Sequence, residues 1–497
     1  MALIDEILKL PTVMERVGKL KMGRGWRCIP DTSENIKNWL IEGHEIFDKK
    51  KYPDNKVVIK KGKKIVDSRT GKTITTDDKT ETQYANRIAL PIEQDIVNIQ
   101  VGFGVGLEPT LDCQTKNDAE NAVLSALKQT MKKNRCKFAN KKEMRSWLSE
   151  QEVAEYWYVV PDTDNFWSKI DDTSYNILKP KYRLKSAVWS PFRGDKLYPF
   201  FEGEDMTGFL REYTKIDDNQ MRLTCYMLIT KDRVYLWNQD ASAQGGFLES
   251  SFAHGFSKLP VLYTYRPKTY CHNIKSMRER LEKTLSSYGD CLDRNFFPYL
   301  LLHGEVENVS GKLRNHTIQM NGDGASATYL TWDQVPDTVK FEVETYLNQI
   351  YSMTSTPRIS FENLKGLTAA SGVAFKFYFM GADMQESNNE EDFGEFLQRR
   401  INFLISALGT INASLYLPSQ TLDVETAMQP YQIDNISDKV TTAVSAHNGG
   451  IWSRKHAMIF AGQIEHIDEE MKEIEEEEAQ KAENNKKIQN NKKQAIV

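Results

Sequence analysis

The 497-residue chain is short of every feature that announces a chemistry. Its six cysteines (Cys28, Cys113, Cys136, Cys225, Cys271, Cys291) form no CxxC pair and keep no regular spacing. That argues against a disulfide framework and a zinc ribbon, and favours reduced, mostly structural thiols in a chain made in a cytoplasm. The eight histidines supply no HxxxH or HExxH group, so no metal and no cofactor is expected. Long apolar runs are missing too. The most apolar window, Val373 to Ala382, is interrupted by Lys376 and falls far short of the ~20 residues that span a bilayer. The opening Met-Ala-Leu-Ile-Asp-Glu lacks a basic stretch before an apolar one, so no secretory signal is expected. Charge of one sign is also lacking: 65 Lys/Arg against 69 Asp/Glu leave a net of −4, which argues against coating nucleic acid by bulk positive charge.

Motifs of catalysis are equally sparse. Ser371-Gly372 follows Thr-Ala-Ala and is no GxSxG elbow. Gly102-Phe-Gly104-Val-Gly106 follows a helical pattern rather than a strand and lacks GxGxxG spacing. It reads as a helix C-cap leading into a strand at Val105 to Thr110. The runs Asp468-Glu-Glu and Glu475-Glu-Glu-Glu lie in a polar tail, where paired acids solubilise.

What is present is an ordinary globular composition, 40% hydrophobic and 27% charged, at a length of about three structural units. Residues 1–80 carry 18 Lys/Arg against 12 Asp/Glu. Alternation around Lys56-Val-Val-Ile-Lys, Lys64-Ile-Val-Asp and Thr73-Ile-Thr predicts a small hairpin with turns at Lys61-Gly62 and Thr70-Gly71. From Tyr84 the stripe Ile88, Ile92, Ile96, Ile99 predicts a helix that stops near Gly102. Two helices are expected over 117–150 and a β-rich body over 153–265, its strands delimited in part by Pro191, Pro199 and Pro260.

The second half reads differently. Ile274, Met277, Leu281, Leu285, Tyr288 and Leu292 mark one face of a helix from His272 to Phe296, closed by Pro298. Short β segments over 299–335, with Gly304, Gly311, Gly322 and Gly324 at their turns, precede a helix carrying Val339, Val343, Tyr346, Leu347 and Ile350. A polar link after Thr354 exceeds the ~12–15 residues usual in compact domains, a length that points to function. A helical region from Ala370 to Tyr416 follows, with an interruption expected at Gly381 to Asn389. Helices at 437–447 and Arg454 to Phe460 precede a tail, 465–497, with ten acidic and six basic residues, expected to fray.

Three stretches in this order resemble one family, the portal proteins of tailed bacteriophages of the siphophage type. The first is Thr356-Pro-Arg-Ile-Ser-Phe-Glu-Asn-Leu-Lys-Gly-Leu-Thr-Ala-Ala-Ser371-Gly-Val-Ala-Phe-Lys376, similar to that family's tunnel loop and following helix. The second is Gly450-Ile-Trp-Ser453 leading to Ile467-Asp-Glu-Glu-Met-Lys-Glu-Ile-Glu-Glu-Glu, similar to the run near the family's C-terminus. The third, Asn86-Arg-Ile-Ala-Leu-Pro-Ile-Glu-Gln-Asp-Ile-Val-Asn98, resembles the helix opening the wing domain.

The resemblance implies an α+β portal fold: an α/β wing, a two-helix stem, a small β-containing clip, a long wing helix with a tunnel loop, and a helical crown. It places a basic N-terminal segment at 1–83, the first part of the wing at 84–270, the stem helix at 271–296 and the clip at 297–336. The second stem helix then falls at 337–353, the tunnel loop at 354–370, the long wing helix at 371–416, and the crown with its acidic tail at 417–497. It implies a non-enzymatic ring, commonly of twelve copies, around a channel for double-stranded DNA at the portal vertex of a virion capsid, assembled in the host cytoplasm. The implied partners are further copies of the chain, DNA held weakly and without sequence preference, the terminase, a head–tail adaptor and the major capsid protein, with no membrane. Arg358, Asn363 and Lys365 would face the DNA from the tunnel loop, and Lys275, Glu279, Glu282 and Lys283 would line the stem. Near-neutrality suits such a channel, because each neutralised phosphate adds affinity and therefore drag. The competing readings are a virion or scaffolding protein without a channel, and an enzyme using nucleotide at Gly102–Gly106.

Overall fold

The computed structural model describes residues 3–60, 64–66, 73–75, 79–170, 175–218, 220–240, 242–295, 299–310, 317–330, 335–359, 372–430, 436–462, 467 and 470–481. The chain divides into two compact units, Met1–Arg358 with Met380–Tyr431, and Ile359–Phe379 with Gln432–Val497.

The first unit begins with three short helices, α1 (Leu3–Leu8), α2 (Val13–Lys21) and α3 (Thr32–Trp39). Two separate strand pairs follow: β1 (Asn55–Lys60) with β4 (Lys79–Gln83), and β2 (Lys64–Val66) with β3 (Thr73–Thr75), both antiparallel. β1 pairs with β4 and not with β2, which corrects the hairpin expected between those two strands; the expected turn positions Lys61-Gly62 and Thr70-Gly71 lie outside the described residues. Helix α4 (Ile92–Val105), strand β5 (Thr110–Asp112), α5 (Asp118–Lys133) and α6 (Cys136–Glu150) come next.

Eight strands then fill the β-rich body: β6 (Glu152–Pro161), β7 (Tyr182–Trp189), β8 (Lys196–Glu202), β9 (Asp205–Ile216), β10 (Arg222–Thr230), β11 (Arg233–Gln239), β12 (Phe247–Ala253) and β13 (Val261–Tyr265). They form a five-stranded sheet in the order β12-β11-β10-β9-β8 and a three-stranded sheet in the order β13-β6-β7. Pro199 delimits nothing; it lies inside β8, and it is tolerated because β8 is an edge strand whose missing N–H leaves no ladder partner stranded.

Alternation along these strands explains why the first residues of the chain fold at all. Leu210, Tyr226, Leu228 and Trp237 point to one side and bury Ile4, Ile7, Val13, Val17 and Leu20 of α1 and α2. Their sequence neighbours Phe209, Met227, Ile229 and Val234 point to the other and pack on Ala154, Tyr156, Trp189 and Tyr263 of the three-stranded sheet. The central sheet is thus covered on both faces, which is why Cys225–Ile229 reads as a continuous apolar run.

Helix α7 (Lys275–Asn295) and helix α8 (Val335–Met353) flank two strands, β14 (Tyr299–Ser310) and β15 (Thr317–Leu330), paired as one long antiparallel hairpin. The expected short segments are corrected here. Gly304 (φ 125°) and Gly324 (φ 92°) sit where the register shifts between His303 and Glu305, so they bend the ribbon as a bulge instead of ending strands. Gly311 lies outside the described residues. Helix α9 (Gly372–Asn389) runs unbroken through Gly381. The irregularity comes later, in the π-helical Glu390–Gly394, before α10 (Glu395–Ile411). Residues 417–431, expected in the crown, belong to the first unit: α11 (Pro418–Thr421) carries Thr421, whose hydroxyl donates to Glu120 at 2.9 Å, and β16 (Glu425–Ala427) pairs with β5.

In the second unit are the first turns of α9, α12 (Ile436–Asn448), α13 (Arg454–Ala461) and a helical stretch at 470–481. Ser453 caps α13 by accepting from the His456 N–H at 3.2 Å.

Candidate functional site: helices α7 and α8 and their roots

Helix α7 has three distinct faces. Its apolar row, Met277, Leu281 and Leu285, packs against Val343, Tyr346, Leu347 and Ile350 of α8, with Leu281 and Ile350 fully buried. Thr284 and Arg280 both donate to Glu342 of α8, at 3.3 and 3.0 Å, which ties the two helices on their exposed side.

The second face is a polar row spaced at one turn: Arg278, Glu282, Ser286 and Asp290. The extended segment 86–90 lies along it. The backbone N–H of Leu90 donates to Glu282 Oε1 (3.0 Å), that of Ile88 to Ser286 Oγ (2.9 Å), and that of Asn86 to Asp290 (2.7 Å). Alternate residues of an extended chain recur every ~6.6 Å and a helical turn every ~5.4 Å, close enough for three successive matches. This corrects the helix expected from Tyr84: the N–H groups of 86, 88 and 90 are already taken, and α4 starts only after Pro91. It continues through Gly102-Phe-Gly104, so that glycine segment is the helix's last turn. Gly104 lets α4 approach closely, since a Cβ there would lie 2.4 Å from Glu386 Oε2 and 2.6 Å from Met144 Cε.

Residues 34–52 close over the same face. Lys275 pairs with Glu34, Arg278 Nη1 donates to the Asn38 carbonyl (3.2 Å) and to Glu93 (2.6 Å), and His44 Nδ1 meets Glu282 Oε1 at 2.7 Å. Burial pushes the Glu93 carboxyl up to about 7, against the pull of Arg278. Burial also raises the half-buried Glu279, with Glu45 adding to it. These contacts give the N-terminal segment a structural task that its positive charge did not reveal.

Of the four stem candidates, Lys283 is the one exposed to solvent, its ammonium 5.8 Å from the centre of the Tyr52 ring. Lys275 and Glu279 are half-buried. Glu282 is corrected outright: at 1% exposure it faces the interior of its own subunit and cannot line an open passage. Arg280, which residue spacing did not single out, is exposed on α7. The clue was available, because Arg278, Glu282 and Ser286 form a row of helical spacing directly beside the apolar one.

The chain leaving α8 is pinned before it departs. Gln100 Nε2 donates to Thr356 Oγ1 at 2.9 Å, and Tyr270 Oη donates to the Thr354 carbonyl. Both threonines are buried, and Ser355 between them takes a left-handed φ of 47°. Arg358 follows, half-buried, with Nη1 donating to Asn348 Oδ1 at 3.3 Å. Asn363 and Lys365 lie outside the described residues.

A second buried charge cluster lies within the first unit. Arg400 of α10, fully buried, donates to Glu155 (2.6 Å), Glu143 and Asn140. Burial pulls its guanidinium down, but Glu143 and Glu155 more than offset this and hold it protonated. Among the described residues no group of three or more His, Cys, Asp or Glu is placed to hold a metal ion, and no helix is long and apolar enough to cross a membrane.

A comparison with protein-family models matches residues 32–484 to "Phage portal protein, SPP1 Gp6-like". The chain belongs to this portal protein family. Two solved structures are similar over 74% of this portal chain and 88% of theirs: the neck of an empty gene transfer agent (GTA) particle computed with C6 symmetry (11% identity, TM-score 0.36), and the virion of a native GTA particle (10%, TM-score 0.33). At those TM-scores the likenesses carry no part of the reading. No curated protein sequence matches. Membership gives the portal a structural, connector role in a phage virion, in a family that is not enzymatic.

Proposed function

We propose that copies of this portal chain close into a ring, of twelve in the commonest form, whose central channel passes double-stranded DNA into and out of the capsid at one vertex. The observation that carries the reading is the helix–hairpin–helix unit: α7 and α8 pack on each other and present the β14–β15 hairpin between them, in a member of the portal family. In this reading α7 and α8 are the stem, with Lys283 and Arg280 as its exposed cations. The hairpin is the clip, which receives the terminase and later the head–tail adaptor. The segment after Arg358, with Asn363 and Lys365, is the tunnel loop, and the C-terminal helices form the crown toward the capsid interior. The rigid root at Thr354 and Thr356 supports that assignment, since a loop that touches moving DNA needs a fixed base. Heterologous contacts between identical copies close into a ring when the rotation fits.

Negative-stain microscopy of the purified chain tests this reading. Rings with a central hole are expected. A sample that stays monomeric at every protein and salt concentration overturns the proposal.

A further inference from the structure

One depression in the body has no part in the stem. It measures about 600 Å³ and opens where the end of α5 meets the start of α6. Lys128, Lys132, Arg135 and Lys137 stand exposed around it, against a single rim carboxylate, Glu108. Its floor is apolar, with Leu111 and Met131 half-buried and Phe138 56% exposed. The neighbouring Lys133 is already paired with Asp164 at 2.7 Å, so the four rim cations are a separate group. Cations above an apolar floor describe the complement of an amphipathic acidic helix: side chains of one stripe enter the floor while carboxylates meet the rim. Nucleic acid would be served by the cations but would have no use for the floor.

The chain itself contains such a helix. Over 465–478 there are nine Asp/Glu and one lysine, Lys472. Ile467, Met471 and Ile474 recur at i, i+4 and i+7, and the stretch 470–481 is helical. We propose that the basic groove between α5 and α6 receives the acidic stretch 465–478, helical over 470–478, of a second copy of this chain, so that each subunit holds its neighbour electrostatically. The contact requires that several copies assemble; it does not require that the assembly carry DNA.

Zero-length carbodiimide cross-linking of the full chain tests the contact, using a co-assembled one-to-one mixture of ¹⁵N-labelled and unlabelled copies. Links from Lys132 or Lys137 to the 465–478 carboxylates that join light and heavy peptides are the expected result. Links found only within one isotope, or none between groove and tail, overturn the proposal. Charge reversal supplies the second arm. Lys132→Glu with Lys137→Glu is expected to weaken assembly about tenfold, the equivalent of 1.4 kcal/mol, measured by mass photometry at physiological salt. Adding Glu473→Lys and Glu477→Lys is expected to restore it. Assembly unchanged by the first pair overturns the groove contact while leaving the ring intact. Loss of duplex-DNA binding without loss of assembly overturns it in favour of nucleic acid. A wild-type chain that never assembles removes the ring reading instead.

Discussion

His44 and Glu282 stand 238 positions apart in the chain and meet at 2.7 Å, both buried. Glu282 Oε1 also accepts the Leu90 N–H, so one carboxylate joins the N-terminal segment, the entry to α4 and helix α7. If copies form a channel, the N-terminal residues govern how firmly each stem is rooted in its own subunit. Removing one member of a buried pair leaves the other uncompensated, so Glu282→Ala or His44→Ala is expected to cost about 3 kcal/mol in chemical denaturation. The double substitution should cost clearly less than the two added together. Simple additivity would show that the two side chains do not act on each other.

Gly23 tests whether the first helices are integral to the body. A Cβ at this position would fall 1.9 Å from the ring of the buried Phe200 in β8. Neither the ring nor the tight turn can yield cheaply, so Gly23→Ala is expected to lower stability by about 1–3 kcal/mol. Faster proteolysis within the first 25 residues should accompany the loss. A melting temperature equal to that of the unaltered chain would mean that α1 and α2 are dispensable.

Glu386 on α9 makes stability fall as pH rises. It is 2% exposed, neither carboxylate oxygen has a hydrogen-bond partner among the described residues, and burial pushes it up to about 7 from an ordinary 4.5. Its folded value lies above the unfolded one, so its favourable contribution is complete below the unfolded value and is lost as pH climbs toward 7. Glu386→Gln is therefore expected to stabilise the chain by about 2 kcal/mol near pH 8 and to give little or no gain near pH 4.5. Denaturation midpoints at the two pH values decide it, and an equal effect at both would dispose of the explanation.

The segment after Arg358, proposed as the tunnel loop, calls for a functional measurement. Arg358→Glu combined with Lys365→Glu is expected to leave ring assembly intact and to reduce DNA packaging or retention several-fold. The salt dependence of any residual DNA binding should flatten by roughly 0.9 in slope for each phosphate that is no longer neutralised. Packaging that proceeds normally with both charges reversed would strip the loop of its proposed role.

Much of the order of elements could be read from residue spacing. The row Met277, Leu281, Leu285 announced α7, because that periodicity belongs to one element, and strand-forming runs between turn residues announced the β-rich body over 153–265. The helix wrongly expected from Tyr84 shows where such reading stops. Ile88 carried the spacing of a helix, yet its N–H is claimed by Ser286, which lies 198 positions away. Local pattern loses wherever a distant side chain satisfies the backbone better.

The candidate site divides the same way. The positions of Lys275, Glu279, Glu282 and Lys283 on one helix were fixed by helical geometry, but which of them meets solvent was not. That depends on residues 34–52 folding over α7, a contact that the charge of this segment does not reveal. The sequence by itself determined the helix–insert–helix order, the acidic tail and the near-neutral charge, since each is a property of neighbours along the chain. Only the tertiary structure decided that Glu282 is an interior anchor, that Thr354 and Thr356 form a fixed loop root, and that four cations ring an apolar floor. Each of those outcomes arises from burial and pairing between segments far apart in the chain.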